Sequence, residues 1–274
     1  MQNSGKLAGK VALITGGARG LGRAYALRLA SLGADIGIID IDLKSYEAFE
    51  EEKKLMTADT TVEEVRALGR RSCGVEADVS DQKQVLEAVK IVADELGEID
   101  ILVANAGGGI GGPDENPASE MNIDHYHTMI NRNIHSTVYT VQAVAPMMKK
   151  KKSGKIVTVC SQAGLGTTLK GTFAHYGLAK AAVQHYTLYL SADLGQYGIN
   201  VNCIAPGFIS TGRIKKVFME SPKHDSHINE TSLRRYGTPE ECAKVVEFLC
   251  TDLSDFVTGA TIEITGGTIG KIDM

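Results

Sequence analysis

Residues 10–40 read KVALITGGARGLGRAYALRLASLGADIGIID, and the order of residue types in that stretch decides the architecture. Val11-Ala12-Leu13-Ile14 is an apolar run too short for a helix and bounded by glycines, the mark of a buried strand. Gly16, Gly20 and Gly22 follow. Leu21, Tyr25, Leu29 and Leu32 then recur at helical spacing, so a helix starts inside the glycine turn and ends near Gly33. A second apolar run, Ile36 to Ile39, ends in Asp40. Strand, glycine turn, helix, strand and acid together outline a dinucleotide site. Glycines allow a tight turn and a close backbone approach to a pyrophosphate. The helix N-terminus offers that group unpaired N–H donors and the positive end of a dipole, and the acid accepts from ribose hydroxyls. Agreement of all these parts separates this reading from a glycine-rich turn that merely packs a helix on a sheet.

Composition narrows the classes. The 274 residues are 43% hydrophobic and 23% charged, with 30 glycines, six prolines and no tryptophan, ordinary values for an α/β chain that buries most of its apolar surface in one core. A formal charge of −4 gives no reason to expect a nucleic-acid or anionic-membrane partner. No apolar leader region opens the chain and no run reaches the roughly 20 apolar residues of a membrane span, so a cytoplasmic location is expected. Cys73, Cys160, Cys203, Cys242 and Cys250 form no C-x-x-C and sit in apolar surroundings, as buried reduced thiols do.

Strand and helix alternate through the rest of the chain. After Asp40 the charge-rich DLKSYEAFEEEKKLMTADT exceeds what a connection needs and reads as a surface insertion over about 42–60, before an amphipathic helix in TVEEVRALG. Ser72 to Val75 is a third strand. Ser80 is placed to N-cap a helix carrying Val85, Val89, Val92 and Leu96 on one face. Ile101 to Ala104 is a fourth strand, and GGGIGGPDENPASE after Asn105-Ala106 is an irregular loop expected to be mobile. A long helix over 122–148 places Ile130, Ile134, Val138, Val141, Ala145 and Met148 on one face. The basic run Lys149 to Lys152 suits its negative dipole end and a solvated surface rather than a nucleic acid. A fifth strand (Lys155 to Cys160), a helix over 173–196 and a sixth strand (Asn200 to Ala205) follow. Thr238-Pro239-Glu240-Glu241 is a capping box with proline at the first helical position, its helix turning Val245 and Leu249 inward, and Thr261 to Ile264 is the last strand. With no linker-like break and no solenoid repeat, residues 1–274 form one domain: a doubly wound parallel sheet of about seven strands, helices on both faces, of the Rossmann type. Its ligands belong outside the carboxyl ends of the strands, in the loops after Ile14, Ala104, Cys160 and Ala205.

Chemistry concentrates after the fifth strand. Ser161-Gln162-Ala163-Gly164 comes first, Tyr176 fifteen residues after the serine, and Lys180 four further on. At i and i+4 on a helix the last two share a face. An ammonium close to a phenol favours the phenolate and draws a pKa of about 10 towards working pH. A phenol so tuned is a general base for an alcohol or an acid for a carbonyl, and a hydroxyl such as that of Ser161 stabilises charge on the reacting oxygen. Alone, Y-x-x-x-K is a common surface helix pair; its place in a dinucleotide fold gives it chemical meaning. His125 and His127 have no further ligand at metal spacing and read as a solvent-facing helix start, so no metal is expected. His175 caps a helix or lines the pocket.

Taken together, Thr15-Gly16-x-x-x-Gly20-x-Gly22, Asp78-Val79, Asn105-Ala106-Gly107, Asn133, Ser161, Tyr176-x-x-x-Lys180 and Pro206-Gly207-x-x-x-Thr211 resemble the short-chain dehydrogenase/reductase family in its short single-domain form, from about Leu7 to Gly267. The resemblance implies a tetrad. Tyr176 is the acid/base, Ser161 binds the reacting oxygen, Lys180 lowers the tyrosine pKa and holds the nicotinamide ribose, and Asn133 supports a water linking the lysine to solvent. Asp78 meets the adenine amino group and Val79 its ring, Asn105 holds the strand-end geometry, and Ile209 and Thr211 anchor the carboxamide. The implied cofactor site also takes in Gly16, Arg19, Gly20, Leu21, Gly22, Asp40, Ile41, Ala106, Gly107, Tyr176, Lys180, Pro206 and Gly207. Residues 212–235 are the substrate lid, for which Phe208, Ile214, Val217, Phe218 and Met219 offer an apolar lining. His224 and His227 fall within it. Gly108, Ser161, Gln162, Thr168, Phe208 and Phe218 are the expected substrate contacts. Helices 122–148 and 173–196 are where family members pair, so a homotetramer is implied. Two positions depart from the pattern: Ala104 stands where the family often has a first asparagine, and Thr265 precedes Gly266-Gly267 where an aspartate is usual.

Charge selects the cofactor. A 2′-phosphate beside Asp40 and Asp42 meets carboxylates, whereas two ribose hydroxyls are welcome there; Arg19 is the counter-signal, without a basic partner at Ile41. The expectation is an NAD-dependent oxidoreductase that moves a hydride between nicotinamide and a small-molecule secondary alcohol or its ketone. An NADPH-dependent 3-oxoacyl-type reductase is opposed by Asp40. A catalytically silent nucleotide-binding protein is opposed by the complete tetrad. Enoyl reductases of related fold place the lysine seven residues after the tyrosine, where this chain has Val183.

Overall fold

Seven strands, all parallel, make one sheet in the computed structural model, which describes residues 5–168, 170–219 and 224–268. In chain order the elements are β1 (Val11–Thr15), α1 (Gly20–Ser31), β2 (Asp35–Asp40), α2 (Glu50–Lys53), α3 (Thr61–Ala67), β3 (Ser72–Glu76), α4 (Gln82–Leu96), β4 (Ile101–Ala104), α5 (Ile123–Met129), α6 (Ser136–Lys151), β5 (Gly154–Val159), α7 (Ala174–Leu194), β6 (Ile199–Pro206), α8 (Gly212–Ile214), α9 (His224–Glu230), α10 (Pro239–Cys250) and β7 (Thr261–Ile264). The sheet order is β3-β2-β1-β4-β5-β6-β7. Strand order therefore reverses between β1 and β4, where Ile14 stands opposite Val103, and the crevice above that seam is the natural ligand site.

Side chains of each strand alternate between two apolar layers. Ala12 and Ile14 of β1 pack with Tyr25, Leu29 and Val246 beneath α1 and α10, while Val11 and Leu13 pack with Val85, Val92 and Met148 beneath α4 and α6. Burial on both faces is why the strands read as unbroken apolar runs. Helix α1 lies directly on the turn that precedes it: a Cβ added at Gly22 would stand 1.9 Å from the Gly16 carbonyl oxygen.

Several local expectations are corrected. The helix over 122–148 is two helices joined by a π turn, Ile130–His135, whose wider winding accommodates an extra residue. One residue of slippage turns a helix face by about 100°. Ile130, Ile134 and Val138 are thus only half-buried, while Met129, Asn133, Ser136, Thr137 and Thr140 face the interior; from Val141 on, the expected face is kept. Asp81 rather than Ser80 caps α4, accepting from the amides of Lys83 (2.9 Å) and Gln84 (3.1 Å), because the Ser80 hydroxyl is spent on Asp78. The basic run is partly paired: Lys149 with Asp193 at 3.1 Å, and Lys151 with Asp100. The glycine-rich loop is irregular yet tied down. The Ile110 carbonyl meets His175 Nε2 at 3.0 Å, Phe173 N donates to Glu115 O (2.7 Å), Ala174 N to Asn116 O (3.2 Å) and Ala118 N to Gly171 O (3.1 Å).

Among the described residues no helix is long and apolar enough to cross a membrane, no His/Cys/Asp/Glu group could hold a metal, and the five cysteines are free and buried. Gly22→Ala should destabilise the protein by about 3 kcal/mol, the upper range for overpacking, because the obstructing atom is backbone. Urea denaturation measures it; an unchanged midpoint would refute this account of the turn.

Candidate active site

The turn after β1 is built to receive an anion. Gly16 and Gly20 have φ of +65° and +54°, which glycine adopts without strain. Arg19 at the N-cap of α1 supplies no side-chain bond and the first turn holds no acid, so the leading N–H groups and the positive dipole end face the cleft. Thr15 Oγ1 accepts from the amides of Asn105 and Ala106, each at 3.1 Å, and Asn105 Nδ2 donates to the carbonyls of Thr15 and Gly16, each at 3.0 Å. Buried Asp40 accepts from Ala18 N at 2.9 Å. Burial pushes its carboxyl up, against the pull of the Ala18, Asp42 and Ile41 amides. Ile41 is exposed beside it, Asp78 accepts from the Ser80 amide at 2.9 Å, and Val79 packs against the core. Donors at one end and a carboxylate about 20 residues on fit a dinucleotide.

The insertion reaches this cradle. Its Tyr46 and Glu52 are buried, so it is not merely a surface segment. Glu52 accepts from Gly212 N at 2.9 Å and pairs with Arg19 at 3.3 Å, while Glu51 stands 3.6 Å from Lys215. Arg19 also lies 4.6 Å from the centre of the Phe49 ring. A few residues of α2 thereby join the glycine turn to the start of α8. Nothing in the run EEEKK distinguishes Glu52 from its neighbours, so sequence reading missed it.

Ser161, Tyr176, Lys180 and Asn133 gather beyond the ends of β4 and β5. Ser161 Oγ caps a short 3-10 turn, accepting from Ala163 N at 3.3 Å. Lys180 is 4% exposed; its Nζ donates to the Val159 carbonyl at 2.9 Å and lies 5.9 Å from the centre of the Tyr176 ring. Burial lowers the ammonium to about 8, against the opposing pull of the Cys160 and Cys203 thiols beneath it. Asn133, wholly buried by the π turn, accepts from Gly108 N at 2.9 Å and donates to Met129 O at 3.0 Å. A Cβ on Gly107 would fall 2.6 Å from Asn133 Oδ1 and 3.3 Å from Lys180 Nζ, so only glycine fits between them. Burial raises the Tyr176 phenol; the Ser161 hydroxyl and the charge of Arg213 draw it down. The Lys180 ammonium is turned to the Val159 carbonyl while it stays within 5.9 Å of the Tyr176 ring centre.

At the other end of the cleft, Gly207 N donates to Ile264 O at 2.9 Å after Pro206, and buried Ile209 bridges to Gly237. Thr211 caps α8, accepting from Ile214 N at 3.4 Å. The buried Gln162 Oε1 has no partner and would lie 2.7 Å from a Cβ on Gly207, an acceptor left for whatever enters. Phe208 packs edge-on to Tyr236 at 6.0 Å. Of the expected substrate contacts, Gly108 and Gln162 border the catalytic group. Thr168 does not join it: it is exposed, and its Oγ1 accepts from Thr172 N at 2.8 Å. The side chains of Phe218, His224 and His227 lie outside the described residues. Two neighbours went unread: Arg213, and Phe173, whose ring stands 4.9 Å from that of Tyr176.

Comparison with known proteins agrees with this geometry. A family model described as enoyl-(acyl carrier protein) reductase matches residues 16–268. The chain is 52% identical over 262 residues to cyclohexanol dehydrogenase of Rhodococcus sp. (strain TK6), covering 95% of this chain and 96% of the relative. It is 30% identical over 268 residues to 7alpha-hydroxysteroid dehydrogenase of Escherichia coli (strain K12), covering 98% and 97%. The crystal structure of NAD+-bound xylitol dehydrogenase superposes with a TM-score of 0.82 at 31% identity, over 96% of this chain and 100% of that one.

Lys180 carries a stability cost with a definite sign. The unfolded lysine keeps its proton up to its ordinary 10.5 and the folded one only to about 8, so the unfolded state binds more protons in that window and stability rises with pH across it. Lys180→Met should therefore be more stable than wild type at pH 7, by up to about 3 kcal/mol, with the gap closing between pH 8 and 10.5. Thermal unfolding at several pH values checks this; a gap independent of pH would contradict it.

Proposed function

The chain belongs to the short-chain dehydrogenase/reductase family, and we propose that it is an NAD-dependent dehydrogenase oxidising an alicyclic secondary alcohol through Tyr176, Ser161, Lys180 and Asn133. The observation that carries this reading is the Tyr176 phenol grouped with Ser161 and the buried Lys180, whose Nζ lies 5.9 Å from the centre of the phenol ring, at the mouth of a dinucleotide cradle. When bound, the nicotinamide supplies a hydride acceptor. Ser161 holds the substrate oxygen, and Tyr176 removes the hydroxyl proton as the carbinol carbon gives up its hydride. Lys180 and Asn133, meeting across Gly107, lie on the side where that proton leaves. In reduction the phenol donates instead. Because burial holds the phenol up, oxidation should accelerate as pH rises through neutrality.

The choice of NAD rests on Asp40, whose buried carboxylate would repel a 2′-phosphate, and on Arg19, already engaged by Glu52. The alicyclic substrate class rests on the 52% identity to a cyclohexanol dehydrogenase. Val183 is buried where an enoyl reductase would hold its lysine, so the name of the family model does not carry over to the reaction. A cytoplasmic homotetramer completes the proposal. Five free buried thiols suit a reducing compartment, and an exposed groove along α6 and α7, lined by Val141, Pro146, Tyr186, Tyr189 and Leu190, suits pairing of copies.

Nicotinamide absorbance during cyclohexanol oxidation tests the assignment. Wild type should favour NAD over NADP by at least about tenfold in kcat/KM, a modest charge effect of about 1.4 kcal/mol. Tyr176→Phe should lower kcat by about 10³, within the range for a positioned acid/base. NADP preference would overturn the cofactor assignment, and wild-type turnover in Tyr176→Phe the catalytic one.

A further inference from the structure

Arg213 stands in the catalytic cleft without an anionic partner. It follows Thr211 by two residues on α8, half-buried, and its Nη1 lies 3.3 Å from the place a Cβ on Gly108 would occupy. The guanidinium thus reaches from the lid across to the loop after β4, beside Tyr176, whose phenol feels its charge. Neighbouring cations are answered: Arg19 by Glu52, Arg23 by Glu64, Lys215 by Glu51. Among the described residues Arg213 has no ion pair and no hydrogen bond. The other charges that bear on it, Arg132 and Arg19, are cationic, and burial together with that repulsion pulls its proton affinity down. A desolvated cation among like charges is costly unless an anion arrives to pair with it.

Two anions could enter this cleft, and position separates them. A pyrophosphate belongs at the first turn of α1, near Gly20 and Arg19. Arg213 instead meets Gly108 and Tyr176, beside which the reacting carbon must lie. The Phe173 ring, 4.9 Å from that of Tyr176, supplies an apolar wall beside it. We propose that Arg213 is a specificity-determining residue that binds a carboxylate carried on the alicyclic alcohol, so that the preferred substrate is a ring hydroxy acid rather than a neutral ring alcohol. The planar guanidinium suits that group, giving two parallel charge-assisted hydrogen bonds where a lysine gives a point charge. The inference rests on the dehydrogenase reading above and deepens it.

Steady-state kinetics on cyclohexanol and on hydroxycyclohexanecarboxylate, for wild type, Arg213→Lys and Arg213→Leu, test it. The ratio of kcat/KM for the carboxylate over the neutral alcohol should fall by about 30-fold or more in Arg213→Leu, chiefly through KM, and by less in Arg213→Lys, which keeps the charge and loses the fork. Calorimetry of cyclohexanecarboxylate binding to the NAD complex should show affinity in wild type and its loss in Arg213→Leu, while NAD affinity stays within about threefold, less than one charge-assisted bond. A ratio unchanged by Arg213→Leu would overturn the proposal, as would a tenfold or larger loss of NAD affinity, which would assign the residue to the cofactor phosphates. Cyclohexanol turnover by wild type decides the parent reading separately. If neither alcohol reacts, that reading falls, and carboxylate binding still decides the role of Arg213.

Discussion

Thr15 and Asn105 join the carboxyl ends of two neighbouring strands, and the rest of the site depends on that seam. One hydroxyl accepts two amides of the second strand's exit, and one carboxamide donates to two carbonyls of the first strand's exit. These are buried polar groups that would each be expensive if left unpaired. Satisfying one another, they fix where the glycine turn leaves β1 and where Gly107 and Gly108 leave β4. Gly108 then exchanges hydrogen bonds with Asn133, which carries the constraint into the π turn. The glycine turn after β1 and Asn133 in the π turn are held in register through one continuous set of bonds.

Electrostatics within the cleft is arranged around burial. Lys180 is taken out of water with a carbonyl and two thiols for company, and none of these fully offsets the loss of hydration. A chain selected for stability alone would place a neutral side chain there. That it does not is the usual compromise between a stable site and a working one. Tyr176 is subject to the same desolvation in the opposite sense, which raises its phenol and holds its proton in place.

The segment between β2 and α3 shows how a charged stretch becomes structural. Three consecutive glutamates look equivalent in sequence, yet Glu52 alone turns inward, where it holds Gly212 and Arg19 together. Helix α1, the insertion and α8 are thereby coupled through one carboxylate.

The sequence by itself determined the doubly wound sheet and the glycine turn and singled out Ser161, Tyr176 and Lys180, because these depend on short-range spacing: alternation of strand and helix, glycines at fixed offsets, a phenol and an amine one helical turn apart. It also marked Asp40 by its position at the end of an apolar strand. Tertiary structure alone decided the rest. The π turn that buries Asn133 leaves the hydrophobic spacing of its helix looking ordinary, since a single slipped residue shifts a face without altering composition. The anchoring of a loop rich in glycine came from backbone groups of a distant helix, which carry no side-chain signature. The inward turn of Glu52 and the solitary position of Arg213 likewise depend on which charges meet across distances of tens of residues in the chain, and local spacing holds no record of such meetings.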